Sequence, residues 1–263
     1  MFFFIDKKDL LKIKVKKIGN ERRWCYLCIE EHTMNTSFFR EKIIVEEQIK
    51  INFVNKNAEA IFNKKDHILI GISPLNSYYS EERIYQLLNT ISSFGFQKMT
   101  IFAADGISIY NYLAYGYDEK KAYQKTKHLD NILRNKILRC LNRLEIDINN
   151  LFILEKFKAT DDTYKMLHQY FENIILKDKI FQNIIFDMIR NIRLPITEYL
   201  PLNEQISLKY FLAEMPFLLN SSQLFNVDSS ILVYHQIPFF VNYLFNEKKI
   251  ASKNQGFMKL NFM

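Results

Sequence analysis

The chain has 263 residues, of which 48% are hydrophobic and 25% are charged. These fractions are typical of a globular protein with enough material for one large core. Six glycines and five prolines exclude collagen-like and Pro/Gly-rich disordered chains, and 23 phenylalanines argue further against disorder. Lys+Arg outnumber Asp+Glu by 36 to 29, and the resulting charge of +7 favours a polyanionic partner, nucleic acid or an anionic membrane surface.

The cysteines and the apolar segments bear on the cellular compartment. The three cysteines, Cys25, Cys28 and Cys140, are too few and odd in number for a disulfide framework. The first residues place apolar side chains before the charges, the reverse of a secretory signal, so we expect a cytoplasmic protein. The most apolar stretch, 231–245, is shorter than the roughly 20 residues that cross a bilayer, and no membrane segment is predicted.

The chain shows no internal repeat, no low-complexity segment and no Gly/Ser/Pro-rich linker. We therefore predict one domain over 1–263, with an N-terminal extension (1–60), a core (61–245) and a C-terminal tail (246–263). Loose alternation over 9–31 predicts an early strand or hairpin.

The clearest local pattern lies between Asp66 and Ala103. The apolar run from Ile68 to Ile72 predicts a buried parallel strand. Ser80 followed by two acids predicts the start of a helix over 81–94, and a second strand follows over 98–103. A strand, a helix and a strand within about 40 residues form a βαβ unit, which predicts a parallel sheet.

The remainder of the chain continues this alternation. The predicted elements are an extended and then helical segment over 50–62, a long helix over 118–144, a strand over 151–154, a helical stretch over 161–193, a helix over 203–219, a strand over 230–234 and a final helix after 238. The order predicts an α/β fold, a Rossmann-like doubly wound parallel sheet flanked by helices.

Ser73 follows the predicted buried strand directly. A serine there lies at the carboxyl edge of the sheet, where ligands of such folds bind. The alternative is a turn serine, which the spacing alone favours. A hydrolase nucleophile elbow needs Gly-x-Ser-x-Gly, and because Leu75 replaces the second glycine the hydrolase interpretation is weak.

Cofactor and metal motifs are missing from the sequence. Neither Gly-x-Gly-x-x-Gly nor Gly-x-x-x-x-Gly-Lys-Ser/Thr is present, which argues against the usual dinucleotide or triphosphate cradles. Cys25 and Cys28 with His32 lack a second ligand pair, so buried thiols are favoured over a zinc site. We predict no cofactor and no metal.

The long helix carries a basic stripe. The segment 117–143 contains eight Lys/Arg and three acids. A one-signed stripe about 30 Å long fits a nucleic-acid backbone better than a solvated face does. The residues predicted to contact nucleic acid are Lys121, Lys125, Lys136, Arg139 and Arg143.

Two further segments combine polar and aromatic residues. Tyr210 and Glu214 are four residues apart, on one face of a predicted helix. Tyr234 and His235 end the last predicted apolar strand. By itself, a tyrosine and a glutamate at this spacing are typical of an amphipathic edge.

Taken together, three segments resemble the cyclodipeptide synthases. They are Gly71-Ile-Ser73-x-x-Asn76-Ser-Tyr78, Tyr210-x-x-x-Glu214-x-Pro216 and Ser229-Ser-x-Leu-x-Tyr234-His235. Asn76 with Tyr234-His235 is similar to the signature of the subfamily named for Asn, Tyr and His. The resemblance covers about 66–245 and implies a fold like the catalytic domain of class I tyrosyl- and tryptophanyl-tRNA synthetases.

The resemblance also implies an activity. Such enzymes join the aminoacyl groups of two aminoacyl-tRNAs into a cyclic dipeptide without ATP. Ser73 would be the nucleophile that takes the first aminoacyl group, and Glu214 and Tyr210 would bind its α-ammonium. Tyr234 would relay a proton during cyclisation.

The remaining implied roles concern geometry and specificity. Asn76 and His235 would fix the geometry of the site. An uncharged pocket would bind the first side chain, and the matching residues are Leu69, Gly71, Ile101, Ala103, Phe217 and Leu232. Such a pocket favours apolar side chains, and we expect a Leu-containing product, with cyclo(Leu-Leu) first.

Two alternatives remain open at this point. A serine esterase or aminoacyl-tRNA hydrolase would pass the acyl group to water, and a non-catalytic relative would only bind tRNA. A synthase, an aminoacyl-tRNA hydrolase and a non-catalytic relative would all bind tRNA, and a simple esterase would not. We expect the protein to be a monomer or a homodimer.

Overall fold

The computed structural model describes residues 49–262 apart from 75, 104–105, 149–150, 154–157, 159 and 192–200. The strand or hairpin predicted within 9–31 lies outside the described residues, and so do Cys25, Cys28 and His32.

Strands and helices alternate along the described chain. In order they are β1 (Ile49–Phe53), α1 (Ala58–Lys64), β2 (His67–Ile72), α2 (Glu81–Ser93), β3 (Lys98–Ala103), α3 (Ile109–Ala114), α4 (Glu119–Arg143), β4 (Leu151–Ile153), α5 (Asp162–Ile175), α6 (Lys179–Asn191), α7 (Pro201–Leu224), β5 (Ser230–Tyr234), α8 (Phe239–Asn242), a π-helical turn (Tyr243–Glu247) and β6 (Gln255–Phe262). None of the described helices is long and apolar enough to span a membrane. The predicted bounds of β2, α2, β3, α4 and β5 agree with these to within one or two residues.

The sheet is doubly wound, as predicted. Its strand order is β1-β6-β5-β2-β3-β4, and every neighbouring pair is parallel except β1 with β6. From β2 the chain proceeds outward through β3 and β4, and then returns to place β5 on the other side of β2. The topological switch point therefore lies between β2 and β5, and ligands of open α/β sheets bind at its carboxyl edge.

The sheet also extends beyond the core predicted over 61–245. β1 comes from the predicted N-terminal extension and β6 from the predicted C-terminal tail. β6 pairs with β5 on one side and with β1 on the other. The tail is thus an inner strand of the sheet.

Helices cover both faces of the sheet. Phe217 of α7 stacks on Phe102 of β3, with ring centroids 4.5 Å apart. On the opposite face α1 crosses β6 so closely that a Cβ on Gly256 would lie 3.3 Å from the Cα of Ala58. A side chain at this position would press on the backbone of α1, so the glycine favours the close approach of the two elements.

The single helical stretch predicted over 161–193 is wrong. The structure has two helices there, and α6 begins where Asp178 accepts hydrogen bonds from the backbone N–H groups of Ile180 and Phe181, at 3.0 and 3.1 Å. A side-chain oxygen that satisfies the free N–H groups of a first turn starts a new helix. The sequence pattern concealed this because apolar periodicity continues through the break.

Candidate active site

Ser73 and Tyr234 meet at the switch point. Ser73 directly follows β2 and is fully buried, and Tyr234 is the last residue of the adjacent strand β5. The Tyr234 phenol hydrogen-bonds the side chains of Ser73 and Asn76. Because burial raises the pKa of Tyr234 above its usual range, the phenol keeps its proton at neutral pH.

A chain of hydrogen bonds joins Asn76 to His235. Asn76 Oδ1 accepts from the Tyr78 backbone N–H at 2.9 Å, so its Nδ2 is the atom that faces His235 Nε2, at 3.0 Å. An amide nitrogen can only donate, which makes Nε2 the acceptor and leaves the ring proton on Nδ1. Nδ1 lies 3.1 Å from the hydroxyl of Tyr79, and that hydroxyl donates to the carbonyl of Gly71 at 2.8 Å.

His235 is therefore held as a neutral ring. Burial, and secondarily the charge of Lys259, lowers the pKa of His235 to about 3. The ring of Tyr78 stacks on it at 4.6 Å. Since the Nε2 lone pair is occupied by Asn76, this geometry suits a group that fixes the turn after β2 more than it suits a proton acceptor.

Tyr210 and Glu214 lie one turn apart on α7, both buried. The pKa of Tyr210 is raised by burial, then by the nearby Tyr234 and Asp130. Glu214 lines a cavity together with Tyr234. A carboxylate and phenols in a dry setting are suited to bind a small cation.

The cavity is partly open to solvent. Glu214 and Tyr234 provide its polar groups, and the rest of the lining is apolar: Phe102, Phe217, Leu218, Leu232, Pro238 and Phe257. Two of the predicted pocket residues, Phe217 and Leu232, are among these.

The other predicted pocket residues are not in the lining of this cavity. Strand side chains alternate between the two faces, and Phe102 lines the cavity, so Ile101 and Ala103 point to the opposite face. Leu69 and Gly71 share the cavity face by register, yet the described lining does not include them. On β3 the cavity is lined by Phe102, the residue between the two predicted ones, and a difference of one residue reverses the face of a strand.

The basic stripe is partly neutralised by α2. Arg139 donates to Glu81 through Nε at 3.1 Å and through Nη2 at 2.7 Å, and this hydrogen bonding lowers the pKa of Glu81. Arg143 lies 3.6 Å from the carboxylate of Glu82, and its guanidinium covers the ring of Tyr85 at 3.9 Å. These two arginines therefore join α4 to α2.

The lysines of the stripe make fewer contacts with carboxylates than the two arginines do. Lys121 lies 3.5 Å from the carboxylate of Asp118, the residue that caps α4. Lys125 is exposed and lies 5.0 Å from the centre of the Tyr117 ring. Within the described part of the chain, neither Lys125 nor Lys136 forms an ion pair.

Tyr79 is a site residue that the sequence analysis missed. It precedes Ser80, the residue whose side chain caps α2, and is buried, as is Ile84 four positions into the helix. Apolar residues at these two positions form the hydrophobic staple that fixes how a chain enters a helix. That pattern could have predicted an inward-facing Tyr79, although it could not have predicted the contact with His235.

The described residues hold no group of three or more His, Cys, Asp or Glu side chains that could bind a metal ion. Cys140 is a buried thiol whose Sγ donates to the carbonyl of Glu81 at 3.3 Å. Burial raises the pKa of Cys140, which is typical of an unreactive core thiol.

Comparison with known proteins identifies the family. The family model "Cyclodipeptide synthase" matches residues 49–261. A cyclo(L-leucyl-L-leucyl) synthase of Staphylococcus haemolyticus is 26% identical over 200 residues, covering 72% of this chain and 83% of that protein. The synthase of the same name from Bacillus subtilis is 26% identical over 206 residues, covering 73% and 82%. A cyclo(L-tyrosyl-L-tyrosyl) synthase of Mycobacterium tuberculosis is also 26% identical, over 211 residues, covering 76% and 72%.

Solved structures share the fold. The cyclodipeptide synthase of Staphylococcus haemolyticus superposes with a TM-score of 0.74 at 23% identity, covering 82% of this chain and 99% of that one. A Mycobacterium tuberculosis protein, described as demonstrating that cyclodipeptide synthetases are related to type I tRNA synthetases, gives 0.70 at 23% identity, covering 86% and 100%. Since the family model spans both the sheet and the residues gathered at its switch point, the chain belongs to the cyclodipeptide synthase family.

Proposed function

We propose that the protein forms a cyclic dipeptide, a 2,5-diketopiperazine, from two aminoacyl-tRNAs by a ping-pong reaction through an aminoacyl-Ser73 ester. The observation that carries this is the position of Ser73, buried at the switch point and hydrogen-bonded to a phenol, Tyr234, that lines the same cavity as Glu214. An aminoacyl ester is already activated, so the reaction needs no ATP. That agrees with a sequence that lacks the usual phosphate-binding loops.

In the first step the Ser73 Oγ attacks the ester carbonyl of one aminoacyl-tRNA. The bond to the ribose oxygen breaks, the serine proton passes to that oxygen, and free tRNA leaves. The products are an aminoacyl ester on Ser73 and an intact 3′-terminal hydroxyl.

Two further acyl transfers complete the reaction. The α-amine on Ser73 loses a proton and attacks the carbonyl of the second aminoacyl-tRNA, which gives a dipeptidyl ester and a second free tRNA. The amine of the newly added residue then attacks the Ser73 ester and releases the ring. Tyr234 is suited to return the proton to Ser73 Oγ, because its neutral phenol hydrogen-bonds that side chain.

Glu214 and Tyr210 are assigned to the α-ammonium of the first aminoacyl group. A carboxylate with 3% exposure binds a cation more strongly than an exposed one does, because little water competes. Tyr210 adds a phenol oxygen one helical turn away. Asn76 and His235 hold the turn that presents Ser73.

The cavity lining supports an apolar first residue, and we propose cyclo(Leu-Leu) as the main product. Burying a leucine side chain is worth roughly 2 kcal/mol, whereas a charged side chain without a partner would cost several. Sequence identity by itself does not select the product, because a Leu-Leu and a Tyr-Tyr synthase are both 26% identical to this chain. The argument depends on the lining.

The tRNA is assigned to the lysine part of the stripe on α4. Within the described part of the chain Lys125 and Lys136 form no ion pair, whereas Lys121 is paired with Asp118 and Arg139 and Arg143 are paired with acids of α2. A cation already paired with a carboxylate gains less from a phosphate. We therefore expect Lys125 and Lys136 to supply most of the contact.

The experiment is to mix the purified protein with radiolabelled leucyl-tRNA and to analyse both protein and product. We expect label on the protein and cyclo(Leu-Leu) by mass spectrometry, and neither from Ser73→Ala. Free leucine as the main product would support a hydrolase instead. Unchanged activity in Ser73→Ala would contradict the assigned nucleophile.

A further inference from the structure

We propose that Phe239 and Lys259 hold the 3′-terminal adenosine of the aminoacyl-tRNA. Phe239 stacks on the adenine, and Lys259 pairs with the 5′ phosphate of the same nucleotide. This inference rests on the proposed function, since it assigns residues to the end of that substrate that all tRNAs share.

Phe239 directly follows Pro238, which lines the cavity, and we place its ring at the open mouth of that cavity. It is 76% exposed, the highest value among the described large apolar side chains, whereas its neighbour Phe240 is fully buried. Pro238, on its other side, lines the cavity together with Tyr234. An exposed aromatic ring adjoining a reaction cavity is a ready surface for a flat ligand.

Lys259 lies at the carboxyl edge of the sheet, as Tyr234 does. It is the register partner of Tyr234 and shares the face of Phe257, two residues earlier on β6, which lines the cavity. Its charge acts on His235, whose pKa it helps to lower. Among the residues that the structure describes, no carboxylate forms an ion pair with Lys259.

The chemistry of the substrate end matches this pair. Ser73 can reach the ester only if the terminal ribose enters the mouth, and the base and 5′ phosphate of that nucleotide then lie at the rim. Aromatic side chains stack on unpaired bases, and lysines neutralise phosphates. Because the terminal nucleotide is the same in every tRNA, these contacts should not depend on the amino acid.

The first test measures binding of two uncharged, fluorescent RNA minihelices, one ending in CCA and the other in CC. The wild type should prefer the CCA end, and Phe239→Ala should lose roughly 5- to 100-fold of that preference. Phe239→Trp, which keeps an aromatic face, should retain it. Tyr170→Ala, which removes a 55% exposed aromatic ring from α5, is the matched control and should have no effect.

The second test measures the salt dependence of the same binding. Lys259→Ala should lower the slope of log K against log salt by about 0.7 for the CCA minihelix. It should have no effect on the CC minihelix, which lacks the terminal phosphate. Lys253→Ala, an exposed lysine just before β6, should leave both slopes unchanged.

Turnover separates this inference from the function on which it rests. Phe239→Ala should raise KM by the same factor for leucyl- and phenylalanyl-tRNA and leave the ratio of products unchanged. A changed product ratio at unchanged KM would show that Phe239 meets the amino-acid side chain, and an unaltered CCA preference would likewise overturn the inference. If the wild type makes no cyclic dipeptide, the proposed function itself fails.

Discussion

Asn76 Nδ2 donates a hydrogen bond to His235 Nε2 across 3.0 Å, joining the turn after β2 to the end of β5. The two residues are 159 positions apart in the chain and meet only because β5 pairs with β2. They hold the turn that begins at Ser73, so the two side chains should act as one unit.

We predict that Asn76→Ala and His235→Ala are not additive. Each single change should lower kcat/KM. The double variant should have a kcat/KM only slightly below that of the less active single variant, because either change breaks the same bond. The measurement is a double-mutant cycle, with melting curves to confirm folding. Losses that multiply would show that the two residues act independently.

Glu214→Gln should give a folded protein with kcat/KM lower by about 10- to 100-fold. The amide keeps the shape of the side chain but removes the charge that binds an ammonium, and a hydrogen bond to a charged group is worth roughly 1.5–3 kcal/mol. Glu59→Gln, on the exposed face of α1, is the control and should be silent. Full activity in Glu214→Gln would remove Glu214 from the site.

Phe102→Leu should enlarge the cavity and raise the share of phenylalanine-containing products several-fold. One methylene in an apolar pocket shifts discrimination by about 1–3 kcal/mol, so a larger first side chain becomes tolerable. Ile101→Val removes volume from the adjacent residue on the opposite face and should leave the products unchanged. Mass spectrometry of both products decides which of the two residues lines the pocket.

Lys125→Ala should weaken tRNA binding and reduce the salt slope by about 1, whereas Arg139→Ala should leave the slope nearly unchanged. The reason is that Arg139 is paired with Glu81, with a closest approach of 2.7 Å, while Lys125 has no carboxylate partner within the described part of the chain. Filter binding at several salt concentrations measures both slopes. Equal slope changes would mean that RNA displaces Glu81.

His67 should make stability fall in mild acid. Its Nδ1 lies 2.7 Å from Ser230 Oγ and its Nε2 lies 3.0 Å from Thr100 Oγ1, and burial, then the charge of Lys98, lowers its pKa to about 3. Between pH 6.5 and 3 the unfolded chain binds a proton here that the folded one does not. The free energy of unfolding should therefore drop by up to about 1.4 kcal/mol per pH unit below 6.5.

Urea titrations of the wild type and His67→Gln at pH 4.5 to 7.5 measure this effect. The difference in the free energy of unfolding between the two proteins should shrink as the pH falls and be constant above about pH 7. A difference that does not depend on pH would mean that folding does not lower the pKa of His67.

Local chemistry determined much of the fold in advance. The apolar run of β2 predicts a strand that is buried on both faces, as the structure has it. Ser80 and Asp118 mark helix starts because their side-chain oxygens accept hydrogen bonds from free N–H groups of the first turn. The candidate residues Ser73 and Tyr234 could be placed at one edge because each directly follows or ends an apolar strand. Parallel strands bring such ends together.

Only the tertiary structure decided which face each strand residue occupies and which distant residues become partners. Whether Phe102 or Ile101 meets the cavity depends on register, since a shift of one residue reverses the face of a strand. That Arg139 faces Glu81 depends on how α2 packs against α4, which no spacing within α4 encodes. The tail forms strand β6 because it pairs with β5 and β1, and β1 comes from the other end of the described chain. Sequence patterns report the local preferences of a segment, whereas partners and faces are fixed by contacts between distant segments.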